Sequence, residues 1–122
     1  MPDPSALATV VVNRIAPDVV VLQVSGELDT TSSGELTGPL DAHVTEGQRA
    51  VVVDLGGVRF LGSAGLEALV LGQQRASKAG VEFVVVASTR AALRPIEATG
   101  LDLVFTIVGS VDEAAARYSD SK

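Results

Sequence analysis

Ala50-Val51-Val52-Val53-Asp54-Leu55, carried on through Gly56-Gly57-Val58-Arg59-Phe60-Leu61 into Gly62-Ser63-Ala64-Gly65-Leu66, is the stretch on which the fold turns. Ala50 to Leu55 is a nearly continuous apolar run of strand length, the pattern of a strand covered on both faces. After Gly62 the period changes. Leu66, Leu69, Val70 and Ala76 fall on one face of a helix expected over Ser63–Ala79, with Gly80 as its stop. A buried strand feeding an amphipathic helix asks for another strand beside it, and Val81 to Ala87 supplies one.

Working toward the N-terminus, Ala8 to Ile15 and Val19 to Ser25 read as a hairpin joined at Ala16-Pro17-Asp18, and Gly26-Glu27-Leu28-Asp29 reads as the break after it. From Thr30 onward, Leu36, Leu40 and Val44 recur at helical spacing up to about Gly47; Pro39 predicts a kink there, or a later start. Toward the C-terminus, Thr89 to Thr99 reads as a short helix despite Pro95, Leu101 to Ile107 as a final strand, and Val111 to Arg117 as a helix capped by Ser110. Residues 1–7 and 116–122 have the composition of frayed ends, leaving an ordered core of about 8–118. The expectation is an α/β chain forming a single domain over residues 1–122. An N-terminal hairpin and then alternating units would give a mixed sheet of about five strands carrying about four helices.

Composition narrows the chemistry. The chain has 122 residues, 47% of them apolar, with 15 acidic and 9 basic side chains, no Cys and 1 His. Thiol catalysis and Cys-ligated metals are excluded, and any His-based dyad has His43 as its one candidate. A net charge of −6 argues against nucleic acid as partner, which needs clustered Lys and Arg. The start Met1-Pro2-Asp3-Pro4 lacks the pattern of a signal peptide, and no apolar run approaches the ~20 residues of a membrane span, so a cytoplasmic protein without membrane insertion is expected.

Leu61-Gly62-Ser63-Ala64-Gly65 approaches the Gly-x-Ser-x-Gly elbow of hydrolases, but Leu61 stands where the first Gly belongs, and His43 precedes the Ser rather than following it. No Lys follows Gly62 as a phosphate-binding loop requires, and no cofactor is called for. The carboxylates Glu27, Asp29, Glu35, Asp41 and Asp54 have no spacing that gathers them on a metal; Asp29 and Asp54 read as turn or capping residues. Ser63 has two readings. It can cap the helix, for roughly 1 kcal/mol, or it can carry a phosphoryl group, whose charge of about −2 would meet the positive end of the helix dipole. Ala64, Glu67, Ala68 and Leu71 form a small, partly apolar stripe beside it, although Leu71 reads equally well as a residue buried at the sheet edge.

Taken in order, Val24-Ser25-Gly26-Glu27-Leu28-Asp29 before a helix, Val51 to Leu55 leading into Gly62-Ser63-Ala64-Gly65-Leu66, and Ala98-Thr99-Gly100-Leu101 resemble a STAS domain of the bacterial anti-sigma factor antagonists over almost the whole chain. The resemblance implies a non-enzymatic regulator. Such a protein binds an anti-sigma factor, often a serine/threonine kinase, and so frees a sigma factor for transcription; phosphorylation at the start of the helix after the third strand abolishes binding, and a phosphatase restores it. Partner contacts are expected at Gly26, Glu27, Asp29 and Thr30 and at Gly62, Ser63, Ala64, Glu67, Ala68 and Leu71, with Ser63, the hydroxyl that the segment keeps, as phosphoacceptor one position before the family's slot. The family motif is commonly Asp-Ser-Ser-Gly or Asp-Ser-Thr-Gly, so Ala64 occupies the usual acceptor slot and Gly62 the Asp slot. The alternative is an unphosphorylated STAS module, an accessory subunit of a lipid transporter or a ligand sensor.

Overall fold

The computed structural model describes residues 7–118. The expected frayed ends therefore lie outside the described residues, apart from Leu7 and residues 116–118. Those few are held in place. The Leu7 carbonyl accepts from the Glu27 N–H at 2.8 Å, Ala116 and Arg117 belong to the last helix, and Tyr118 is buried.

Five strands, β1 (Ala8–Ala16), β2 (Val19–Leu28), β3 (Ala50–Leu61), β4 (Glu82–Val86) and β5 (Thr106–Val108), form one sheet in spatial order β1-β2-β3-β4-β5. β1 runs antiparallel to β2 and every other pairing is parallel. The helices are α1 (Gly34–His43), α2 (Ser63–Ala79), α3 (Arg90–Ala98) and α4 (Val111–Arg117). This is the expected mixed sheet of hairpin plus alternating units. Strand alternation explains why the valine runs are unbroken. Val20, Leu22 and Val24 with Val51, Val53 and Leu55 pack under α1, α2 and α3, whereas Val19, Val21, Ala50, Val52, Val84 and Val86 meet Ala114 and Tyr118 of α4 on the other face. Each such side chain contributes about 1.5–3 kcal/mol by leaving water.

Several boundaries differ from the sequence expectation. β2 does not break at Gly26; it continues to Leu28 because Gly26 has pairing partners on both sides, Ala8 and Val58. Gly26 takes φ +96°, and a Cβ there would collide with the Leu7 carbonyl. β3 likewise runs past Leu55 to Leu61, with irregularities in its register opposite Gln23/Ser25 and opposite Gly26/Glu27 that absorb extra residues. β2 and β3 thus project together beyond β4, whose last partner on β3 is Asp54. α1 starts at Gly34 rather than Thr30, because Thr31 and Ser32 are bound into a turn around Asp29, and it ends at His43 rather than near Gly47. Leu101–Leu103 is a 3-10 turn rather than the start of the last strand: Gly100, at φ +75°, ends α3, and the Leu103 N–H bonds back to its carbonyl at 3.1 Å. Ser110 caps α4 as expected, accepting from the Glu113 N–H, and Thr89 caps α3 instead of belonging to it, accepting from the Ala92 N–H.

Candidate functional site at the ends of β2 and β3

Leu28 pairs with Leu61 at the ends of the two parallel strands, and the Gly62 N–H donates to the Leu28 carbonyl at 2.9 Å. The chain therefore leaves β2 into Asp29–Ser33 and leaves β3 into α2 side by side, on the carboxyl ends of parallel strands where α/β sheets carry their sites.

The first segment is a rigid turn built on one carboxylate. Asp29 Oδ1 accepts from the Thr31 N–H at 3.0 Å, the Thr31 hydroxyl at 2.9 Å and the Ser32 N–H at 3.1 Å, with the Ser32 hydroxyl at 3.0 Å. Ser32, only 5% exposed, also accepts from the Asp29 N–H at 2.9 Å and has the Glu27 carbonyl within reach of its hydroxyl. The hydroxyls of Thr31 and Ser32 hold the Asp29 carboxyl below its ordinary value against the opposing effect of desolvation, with the N–H groups of the same two residues adding less. Asp29 is thus a turn organiser, as the sequence suggests.

On the second segment Ser63 is the first residue of α2 and is exposed. It does not cap the helix: Gly62 is the N-cap, with φ −86°, and no side chain supplies the capping bond. The first backbone bond runs from the Leu66 N–H to the Gly62 carbonyl at 3.0 Å, so the amides of Ser63, Ala64 and Gly65 lie in the unsatisfied first turn at the positive end of the helix. The Ser63 hydroxyl is not part of the scaffold. What the fold requires nearby is Gly65, where a Cβ would sit 2.8 Å from both Leu28 Cβ and Leu61 Cδ1. The helix can press onto the strand ends only without a side chain there. A second close contact follows at Gly72, where a Cβ would lie 3.0 Å from the Phe83 ring and 3.1 Å from Leu40 Cδ1.

The other expected contact residues divide. Thr30 and Glu67 are exposed, Leu71 is 55% exposed, and Glu27, Asp29, Gly62 and Ala64 are half-buried. Ala68 and Gly26 are buried. Ala68, 3% exposed, packs into the core beneath α1–α3, and Gly26 is buried by strand pairing on both sides. Glu27 lies 3.9 Å from Arg59, both with well-exposed side chains, worth about 0–1 kcal/mol. His43 is half-buried in the last turn of α1.

Two features escaped the sequence reading. Phe60 is 52% exposed, next to the site; strand alternation with buried Leu61 is the signal that could have marked it. A groove of about 650 Å³ separates α1 from α2, with Leu40 and Gly72 among its lining and Leu71 beside them, and Arg75 bonds Asp41 across it at 3.2 Å. Among the described residues, no His, Asp and Glu side chains are grouped to hold a metal, and no helix is long and apolar enough to cross a membrane.

A family model described as "STAS domain" matches residues 10–114. The anti-sigma-F factor antagonist RsfB of Mycobacterium tuberculosis is 34% identical over 96 residues, spanning 79% of this chain and 78% of the relative. The crystal structure of an anti-sigma factor antagonist from Mycobacterium paratuberculosis superposes with a TM-score of 0.83 at 35% identity, covering 96% of this chain and 97% of that one. A putative anti-sigma factor antagonist from Bordetella bronchiseptica, BtrV, is 26% identical over 82% of this chain and 86% of its own length.

Proposed function

The chain belongs to the STAS domain family, and from that premise we propose that it is an anti-sigma factor antagonist that binds an anti-sigma factor at the β2 and β3 ends and is switched off by phosphorylation of Ser63. The observation that carries this reading is that the Ser63 hydroxyl is exposed at the mouth of α2 and unused by the fold. A phosphoryl group can be added there without breaking a bond that the domain needs. It would bring about −2 charge onto a surface already carrying Asp29 and Glu67, where a basic partner would find its contact altered. The partner is an anti-sigma factor of the serine-kinase type, which also supplies the phosphate; a phosphatase removes it. The chain, acting in the cytoplasm, is substrate rather than enzyme.

The test is complex formation between the purified chain and the ATP-binding anti-sigma factors encoded in the same genome, followed by ATP. We expect a stoichiometric complex that ATP dissociates, with phosphate found on Ser63 by mass spectrometry. Ser63→Glu is expected to weaken the complex about tenfold or more with an unchanged melting temperature, and Ser63→Ala to bind and resist ATP. Equal binding by Ser63→Glu and the parent would end the switch. The family's usual acceptor slot, filled by Ala64, favours a second reading, an unphosphorylated STAS subunit of a transporter or sensor; co-purification with a transport ATPase and not with a sigma regulator would select it.

A further inference from the structure

Of the four aromatic side chains, Phe83, Phe105 and Tyr118 are 3–6% exposed, whereas Phe60 is 52% exposed. Its position follows from the register. Gly26 pairs with Val58 and Glu27 with Phe60, so Arg59 is an extra residue in β3, and Leu61, at 4%, enters the core while Phe60 does not. The ring is laid against Gly62: a Cβ on that residue would come within 2.9 Å of Cε2 and 3.3 Å of Cζ. Gly62 has φ −86°, which any residue can adopt, so the backbone does not demand glycine there; the ring occupies the space a Cβ would need, and a side chain at this position would displace it.

We infer that Phe60 is the apolar anchor of the interface, that it inserts into an apolar pocket with a basic rim on the anti-sigma factor, and that Gly62 holds the ring in position. The inference rests on the proposed function for the identity of the partner. An exposed aromatic within a docking surface is the residue type that concentrates binding energy once water is excluded. The surface is continuous with the site: Ser63, Glu67 and Leu71 follow at four-residue spacing along α2, a reach of about 12 Å. Glu27, Asp29 and Glu67 leave its rim net acidic even with Arg59 lying 3.9 Å from Glu27, which fits a basic partner and disfavours a second copy of this chain, whose rim would repel it. Phosphate on Ser63 would then act on the anchor, because a hydrated dianion three residues away opposes the drying of the ring.

Titration calorimetry against the ATP-binding anti-sigma factor that the parent chain binds reads the effect, with thermal unfolding of each variant as the folding control. Phe60→Ala is expected to weaken Kd about 30-fold. Gly62→Ala, which keeps Phe60 but lifts its ring, is expected to weaken it about tenfold. Leu103→Ala, which removes an apolar side chain 88% exposed at the opposite ends of the parallel strands, is expected to leave Kd unchanged. If the parent binds and both site variants bind within about twofold of it, the anchor is refuted while the proposed function stands. If the parent binds none of the genome's anti-sigma factors, the proposed function fails and the anchor with it. Loss of self-association in Phe60→Ala with unaltered partner binding would assign the ring to a dimer instead and overturn the inference.

Discussion

At the scale of single residues, the site depends on what is missing as much as on what is present. Gly65→Ala puts a methyl group 2.8 Å from Leu28 Cβ and Leu61 Cδ1, two core side chains at the strand ends, so we expect a loss of about 1–3 kcal/mol by overpacking, read by urea denaturation. Asp29 offers a pH test. Its carboxyl is held below the ordinary 3.8 by hydrogen bonds from Thr31 and Ser32, so the folded state favours the charged form. That stability is fully present above 3.8 and is lost as pH falls through the lower folded value. Asp29→Asn is therefore expected to be less stable than the parent at neutral pH, with the gap closing in acid; a gap constant across the titration would show that the turn does not depend on the charge.

Among the elements, α2 and the buried strands β3 and β4 are legible from sequence because burial on both faces writes itself as unbroken valine, and a buried helix stripe writes itself as a 3.6-residue period. The elements that sequence mislocates are those whose partners are distant. Gly26–Leu28 looks like a breaker until Ala8 and Val58 are seen flanking it, and the apolar Leu103 and Val104 look like strand although they are exposed. Of the candidate site, Ser63 is legible because it opens a helix after a strand, whereas the burial of Ala68 is not, because a small apolar residue fits a core and a contact equally well. α1 and α2 cross at Gly72. Gly72→Ala must push Leu40 or the Phe83 ring, and the expected outcome is a loss of about 1–3 kcal/mol in chemical denaturation, with the β2–β3 end unaltered in amide chemical shifts.

For the molecule as a whole, the sheet order puts β2, β3 and β4 at the centre, β1 at one edge and the short β5 at the other. Protection against hydrogen exchange is expected to follow that order: slowest in Val20–Val24 and Val51–Val53, fastest in β5 and α4, where a three-residue strand and a seven-residue helix are held by few neighbours. α4 is fastened by Ala114, by the Tyr118 hydroxyl on Glu82 Oε1 at 2.6 Å and by Arg49 over the Tyr118 ring at 5.2 Å. Tyr118→Phe is expected to quicken exchange in α4 without changing it in β3; equal exchange in both variants would show that the hydroxyl contributes nothing.

The two notches in α2, at Gly65 against the strand ends and at Gly72 against Leu40 and Phe83, press that helix onto its neighbours at two points, so little travel along its axis is expected. A rod wedged at two points cannot work as a piston. Whatever is written on its tip stays there as a local mark, to be read by touch and not relayed through the sheet to α4 on the far side.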